Sequence, residues 1–280
     1  MIKDKKELIK LIIVFVLEVL ITLGVSFGAG RIMTATGMEY SIFAVTLVLD
    51  TLLILVTLIY TFKKGDRFLE AYKIKGIKVS TFFWVLLLTI VASPMYIFAN
   101  VVSQLFVPNV MIQNLDTLFS GSTLLSVIGI AVIAPIGEEL VMRGFFQNRF
   151  KKIMPFAAAA ILSGFLFGVL HLNFNQFCYA WVLGVLFAYT NRASGSTLTS
   201  IFMHMFINGG NSLLMLFMKW AVEVSGMTAS DIANQSEATR ADSSTMITMA
   251  VVFGVLAIGS FFLSRLIIRA IAKNEGTVIE

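Results

Sequence analysis

Two adjacent carboxylates, Glu138 and Glu139, stand in the stretch Pro135-Ile136-Gly137-Glu138-Glu139-Leu140-Val141-Met142-Arg143-Gly144, at the end of an apolar run that begins near Leu118. A charge at the centre of a bilayer costs about 2.5–3.5 kcal/mol on insertion scales, so two acids in such a run demand a reason. On a helix, Glu139 and Arg143 are i and i+4 and share a face. Glu138 points about 100° away from Glu139, because a helix turns once in 3.6 residues. One acid can therefore pair with the arginine while the other looks into a different space. The chain's two histidines, His171 and His204, also lie in apolar runs, and His204 shares a helix face with Asn208.

These groups could activate water. A carboxylate in an apolar cavity is a stronger base than one in water and can serve as a general base. A histidine opposite it can hold the same water or shuttle its proton. A second histidine with an amide on its face can stabilise a developing oxyanion. This would be hydrolysis without a serine or cysteine nucleophile. A zinc route is open as well, since Glu138, His171 and His204 are zinc-type ligands that leave room for water. The helical His-Glu-x-x-His signature is absent, so spacing does not decide between the two. Each residue also has a plain reading: a hydrogen-bonded packing histidine, or a structural Glu139–Arg143 ion pair. The convergence of an acid pair, an arginine, both histidines and an asparagine from three apolar runs favours chemistry over packing. Glu18 and Asp50 are further acids in apolar runs, fitting a proton path or cavity-facing structural roles.

The elements that must position these residues are membrane spans. Of 280 residues, 58% are hydrophobic and 13% charged, against about 25% charged in a soluble protein. The composition indicates an all-α polytopic membrane protein, and the net charge of +5 is no signal for nucleic acid. Cys178, the single cysteine, excludes a disulfide framework and a four-cysteine metal site and reads as a small buried apolar residue. Runs near the required length of about 20 residues predict a bundle of about eight transmembrane helices, roughly at 9–29, 40–62, 81–106, 118–140, 155–172, 177–191, 197–218 and 244–264. The first run is longer than the apolar core of a signal peptide and reads as an uncleaved span. Pro94 and Pro135 lie inside spans, where each frees a backbone carbonyl. The whole of 1–280 reads as one integral membrane domain.

With the N-terminus in the cytoplasm, 18 of the 21 basic residues fall on cytoplasmic segments and Arg31, Lys219 and Arg240 fall outside. That split supports both termini inside. The loop from Lys63 to Ser80 mixes Phe68, Leu69, Tyr72, Ile74 and Ile77 with lysines. It reads either as a segment on the inner membrane surface or as a solvated loop. Val224 to Ser244 reads as the largest outer loop. The fourth and fifth spans form a hairpin with its tip near Lys151-Lys152, placing Glu138 and His171 at heights of about 21 and 28 Å. If the tip protrudes into the cytoplasm, Glu138, His171 and His204 meet in the inner half of the bilayer.

Glu138-Glu139-x-x-x-Arg143, Phe167-x-x-x-His171 and His204-x-x-x-Asn208 resemble the three motifs of the CPBP family, the CAAX prenyl proteases and bacteriocin-processing enzymes also called Abi proteins. The resemblance covers about residues 118–212, the expected catalytic core. It implies an eight-helix intramembrane endopeptidase with its cavity open to the cytoplasm. Under it Glu138 activates water with His171 as partner, His204 and Asn208 complete the site and stabilise the oxyanion, and Glu139 and Arg143 support Glu138. The family is generally classed among metalloproteases, with a metal-free glutamate mechanism also argued. The implied substrates are membrane peptides, such as leader-bearing bacteriocins or pheromones, or lipidated proteins. The rival readings are a proton-coupled transporter with Glu18, Asp50 and Glu138 as its relay, and a non-catalytic membrane scaffold or bacteriocin-immunity protein. The inverted repeats that would favour a transporter are absent from the sequence.

Overall fold

The structure, a computed structural model, describes residues 2–278. All regular elements among the described residues are helical. Helix α1, Lys5–Thr36, starts at Asp4, whose carboxylate accepts from the Glu7 N–H at 2.9 Å, and stops at Gly37 with φ 68°. Asp4 satisfies a free N-terminal donor, and Gly37 takes the left-handed turn that a side chain resists. Helix α2 is Ile42–Lys63 and α3 is Val79–Gln104. Helix α4, Thr123–Ile153, is followed by α5, Phe156–Leu170, and α6, Phe174–Ser194. Helices α7, Leu198–Ser225, α8, Ala229–Ala241, and α9, Ser243–Glu275, complete the chain.

Among the described residues six helices, α1, α2, α3, α4, α7 and α9, are long and apolar enough to cross a membrane. The protein is a polytopic membrane protein. Of the eight expected runs, the fifth and sixth fall outside this set. Helix α5 has 15 residues, about 22 Å of rise against a hydrocarbon core of about 30 Å. Helix α6 has 21 residues but carries Asn175, Gln176, Asn191 and Arg192 near its ends. The fourth predicted span also ends too early. The helix continues to Ile153, so Arg143 and Arg149, read as cytoplasmic loop residues, lie within it and are 1% and 7% exposed.

Two connections differ from a plain loop. Tyr72 is fully buried, its ring tilted against Phe68 and Phe145. The Tyr72 carbonyl accepts from the Thr197 hydroxyl at 2.6 Å, and the Lys73 carbonyl from the Thr197 N–H at 2.9 Å. The segment between α2 and α3 is thus anchored into the bundle by Tyr72. The polar stretch between α7 and α9 contains α8, started by a reciprocal cap between Thr228 and Asp231.

Helix α4 packs against α2, α5 and α7, while α3 and α9 form the most extensive helix pair. Val141, Met142, Phe145, Phe146 and Phe150 of α4 belong to the main apolar core. Helix α3 runs through Pro94. A proline leaves the carbonyl four residues earlier without its donor, here that of Ile90, and the Ser93 hydroxyl donates to it at 2.9 Å.

Helices α5 and α6 approach through glycines. A Cβ on Gly184 would stand 2.5 Å from the Gly164 Cα, and one on Gly168 would stand 2.8 Å from the Phe177 carbonyl oxygen. Small residues permit this spacing. Gly184→Ala is expected to lower stability by about 1–3 kcal/mol through overpacking, read as a lower melting temperature in detergent. Gly259→Ala, where a Cβ meets nothing within 4 Å, should leave that temperature unchanged.

Candidate active site

The acid pair owes its placement to irregularities in α4. The helix passes from a regular turn, Thr123–Ile128, into a wider π-helical stretch, Gly129–Ile133, then Ala134–Glu139, then a second π-helical stretch, Leu140–Gln147. In the first wide stretch the Ala134 N–H donates to the Gly129 carbonyl, five residues back. The next bond in that ladder would run from residue 135 to Ile130, but Pro135 has no N–H. The freed Ile130 carbonyl accepts from the Asn208 Nδ2 at 3.1 Å. A proline on α4 and an amide on α7 thereby fix the two helices beside the acids.

Glu139 turns inward. Its Oε1 accepts from Arg143 Nη1 at 3.0 Å and from His204 Nδ1 at 3.2 Å, and the side chains of Glu139 and Arg143 are both 0% exposed. The Arg143 guanidinium carbon lies 4.3 Å from the centre of the Phe167 ring and 5.1 Å from that of Phe187. Gly184 leaves room for it, since a Cβ there would stand 2.8 Å from Arg143 Nη2. Cation–π contact with two rings offsets part of the loss of water around the cation. Phe167 and Phe187 also flank His204, with ring centres at 5.7 and 5.1 Å.

Glu138 turns the other way. Its side chain is 27% exposed, and its Oε2 faces His204 Nε2 at 3.7 Å without a hydrogen-bond partner. The carboxylate of Glu139 can only accept, so His204 Nδ1 carries the proton of that bond. His204 thus links the two acids, donating to Glu139 through Nδ1 and facing Glu138 through Nε2.

Glu138, Glu139, Arg143 and His204 stand together in the structure. Asn208 lies on the same side of α7 but spends one amide N–H on Ile130, leaving the other for a ligand. His171 is not in direct contact with the acids. Its Nδ1 sits 2.9 Å from the Phe167 carbonyl and its ring stands edge-on to Phe167 at 4.9 Å. A carbonyl only accepts, so Nδ1 is the protonated nitrogen here too, and Nε2 is the free base. The zinc set of Glu138, His171 and His204 is not assembled. Among the described residues no three His, Cys, Asp or Glu side chains stand close enough to hold a metal ion. His171 Nδ1 faces the Phe167 carbonyl, and the unpartnered Glu138 Oε2 has His204 Nε2 opposite it at 3.7 Å.

The sequence concealed two neighbours of the site, Phe187 and Gly184. Phe187 carries no motif signal, and its role emerges only when α6 packs on α4. Gly184 reads as one more small residue in an apolar run. Asp50 of α2 lies against the turn that carries Glu138: a Cβ on Gly137 would stand 2.4 Å from the Asp50 Cγ. The sequence marks Asp50 as an acid in an apolar run. Glu18 is fully buried with both carboxylate oxygens unpartnered and makes no hydrogen bond or ion pair with the acids of α4 among the described residues.

Residues 120–210 match the model of the Rce1-like family, type II CAAX prenyl endopeptidases. The matched stretch runs from the beginning of α4 into α7 and contains all six residues singled out above. No curated protein matches the chain.

Removing one partner of a buried ion pair leaves the other charge uncompensated and costs about 3–5 kcal/mol. Arg143→Met should therefore destabilise the protein strongly in a chemical unfolding titration. The double variant Glu139→Gln/Arg143→Met should recover most of that loss.

Proposed function

We propose that this chain, whose residues 120–210 form a domain of the Rce1-like type II CAAX prenyl endopeptidase family, is an intramembrane endopeptidase in which Glu138 activates the attacking water. The observation that carries the reading is the asymmetry of the acid pair. Glu139 is dry and spent on Arg143 and His204, whereas Glu138 keeps an unpartnered oxygen beside His204 Nε2 and part of its surface open.

In this mechanism a water next to Glu138 gives one proton to the carboxylate, and its oxygen adds to the carbonyl carbon of the scissile bond. The second N–H of Asn208 supports the oxyanion, as does His204 when it holds a proton on Nε2. Collapse of the tetrahedral intermediate breaks the C–N bond, and Glu138 returns its proton to the leaving nitrogen. Glu139 fixes the orientation of the His204 ring through its Nδ1–H, and Arg143 holds Glu139 in place. His171, with its free Nε2, approaches the water when substrate enters. No step runs through a metal, because the donor residues do not form a ligand set.

The substrate class is a membrane-embedded peptide or a lipidated protein. Cleavage takes place towards the cytoplasmic face, with both termini on that side. The short helix α5 and the polar-ended α6 form a membrane-embedded hairpin, which keeps the termini together whether the bundle counts six spans or eight. In a Cys178→Ala background, a membrane-impermeant thiol reagent applied to intact cells should label Thr228→Cys and spare Lys6→Cys. The reverse pattern would invert the topology.

The decisive experiment compares the peptides of cells carrying wild type and Glu138→Gln at equal expression. Fragments present with wild type alone are expected, and they would identify the substrate and its cut site. Identical peptide sets, beside a phenotype that survives in the variant, would overturn the protease and favour a scaffold.

A further inference from the structure

Helix α9 buries one face and leaves the opposite one open. Ser260, Ser264, Ile267 and Ile271 are buried, and the Ser260 hydroxyl donates to the Val91 carbonyl of α3 at 2.6 Å. On the open face Arg265, Arg269 and Lys273 recur at i, i+4 and i+8, all three exposed. Successive members stand about 6 Å apart along the axis and about 40° around it, so they form one ladder. The same face carries Val255, Ile258 and Phe262, all exposed, in a helix long and apolar enough to cross a membrane. This side therefore meets lipid. The stretch Ser243–Ser264 holds no charged residue and rises about 33 Å, close to the thickness of a hydrocarbon core. Arg265 thus stands where the headgroup layer begins, and the ladder crosses that layer. None of the three cations makes a hydrogen bond or ion pair among the described residues. Lys64, Arg149, Lys219 and Arg240, by contrast, each have a carboxylate within 3.3 Å. The acid at this end of α9, Glu275, is already engaged: its carboxylate accepts from the Lys78 N–H at 2.8 Å and from the Thr81 hydroxyl.

Cations at the membrane surface attract anionic headgroups, and the attraction grows where no carboxylate of the protein competes. We propose that Arg265, Arg269 and Lys273 form a binding site for the headgroup of an anionic phospholipid, whose acyl chains lie along Val255, Ile258 and Phe262. Two guanidinium groups one turn apart can each donate paired N–H groups to phosphate oxygens. A soluble acidic protein would have to pass the headgroups to reach Arg265. A second copy presenting the same face would set like charges against each other. A phospholipid supplies negative charge and apolar chain at the two heights where α9 presents cations and apolar side chains. The bound lipid would brace a helix pair that is already tied together, since the Asn274 amide donates to the hydroxyls of Ser80 and Thr81 at 2.8 and 2.7 Å, and α3 in turn packs against α6 and α7. The site shares no residue with the acid cluster of α4, so it stands apart from the protease reading.

The test is a titration of the full chain in neutral detergent with phosphatidylglycerol, phosphatidylcholine or inorganic phosphate, with bound molecules counted by native mass spectrometry. Phosphatidylglycerol should bind more tightly than either of the others. Its affinity should fall in Arg265→Gln/Arg269→Gln by about fivefold for each charge removed, the effect of one basic residue near an anionic surface. The pair Arg265→Lys/Arg269→Lys, which keeps both charges, should retain most of the affinity. As a control, Lys5→Gln/Lys6→Gln removes two exposed lysines of α1 and should leave the affinity unchanged. Equal weakening in the control and in Arg265→Gln/Arg269→Gln would overturn the proposal, because the attraction would then be spread over the whole basic surface. Equal binding of phosphatidylcholine would overturn it by removing the role of net headgroup charge, and equal binding of inorganic phosphate by removing the role of the lipid. Affinity lost as fully in the lysine pair as in the glutamine pair would overturn a site built on charge. Should Arg265→Gln/Arg269→Gln lower the melting temperature, Lys273→Gln in the last turn of α9 carries the same test: a loss of about fivefold is expected, and an unchanged affinity would overturn the ladder.

Discussion

The buried contact between Glu139 and Arg143 is the constraint to which the rest of the site is fitted. Two charges removed from water incur a desolvation cost of several kcal/mol per ion, repaid only when geometry and supporting contacts are good. The supporting contacts come from four helices. Helix α4 brings the pair to i, i+4 spacing; α5 and α6 supply Phe167 and Phe187 above and below the guanidinium; α7 supplies the His204 bond. Each contribution demands close approach, which explains why Gly184 and Gly164 face one another across α5 and α6. A larger residue at either position would separate the helices and leave the arginine without its second ring.

That fixed pair defines what its neighbour can do. In a regular helix adjacent side chains diverge by about 100°, so once Glu139 is anchored inward, Glu138 must look elsewhere. The wide stretches on both sides of Ala134–Glu139 adjust this direction locally without breaking the helix. Wide turns of this kind insert a residue into the ladder and recur at functional sites. Here the first ends at Pro135, and the carbonyl it frees is claimed by Asn208 of α7. The irregularity that aims the acid also ties down the helix that carries His204.

The chemistry was easier to read from the sequence than the architecture. Charges in apolar runs are costly enough to be conspicuous, so Glu138, Glu139, Arg143, His204 and Asn208 stood out by residue type and spacing alone. Residues whose contribution is shape left no such trace: Phe187 and Gly184 look like any residue of an apolar run until α6 is packed on α4. The fifth run gives an apolar helix of only 15 residues and the sixth a helix with polar ends, so both stand apart from the six long apolar helices. Hydropathy registers what a helix needs to face lipid, and α5 and α6 bury much of their surface against each other and α3. The end of the fourth span was missed because Arg143 and Arg149 read as loop charges, while Arg149 is in fact paired with Asp66 at 2.6 Å and Arg143 with Glu139. A basic residue marks the membrane edge only when its charge is solvated.

Water is the remaining requirement, since hydrolysis inside a bilayer needs a reactant that the bilayer excludes. The exposures within the site are graded accordingly. Glu139 and Arg143 are completely dry, His204 is nearly so at 5% of its side chain, and Glu138 keeps 27%. The gradient runs from the structural pair to the acid proposed as base within the width of one imidazole ring. A fully dry Glu138 would leave no room for the water that the proposed hydrolysis needs. His204 lies on that boundary. Its Nδ1–H is committed to Glu139 and its Nε2 faces Glu138, so one ring joins the buried pair to the more exposed acid.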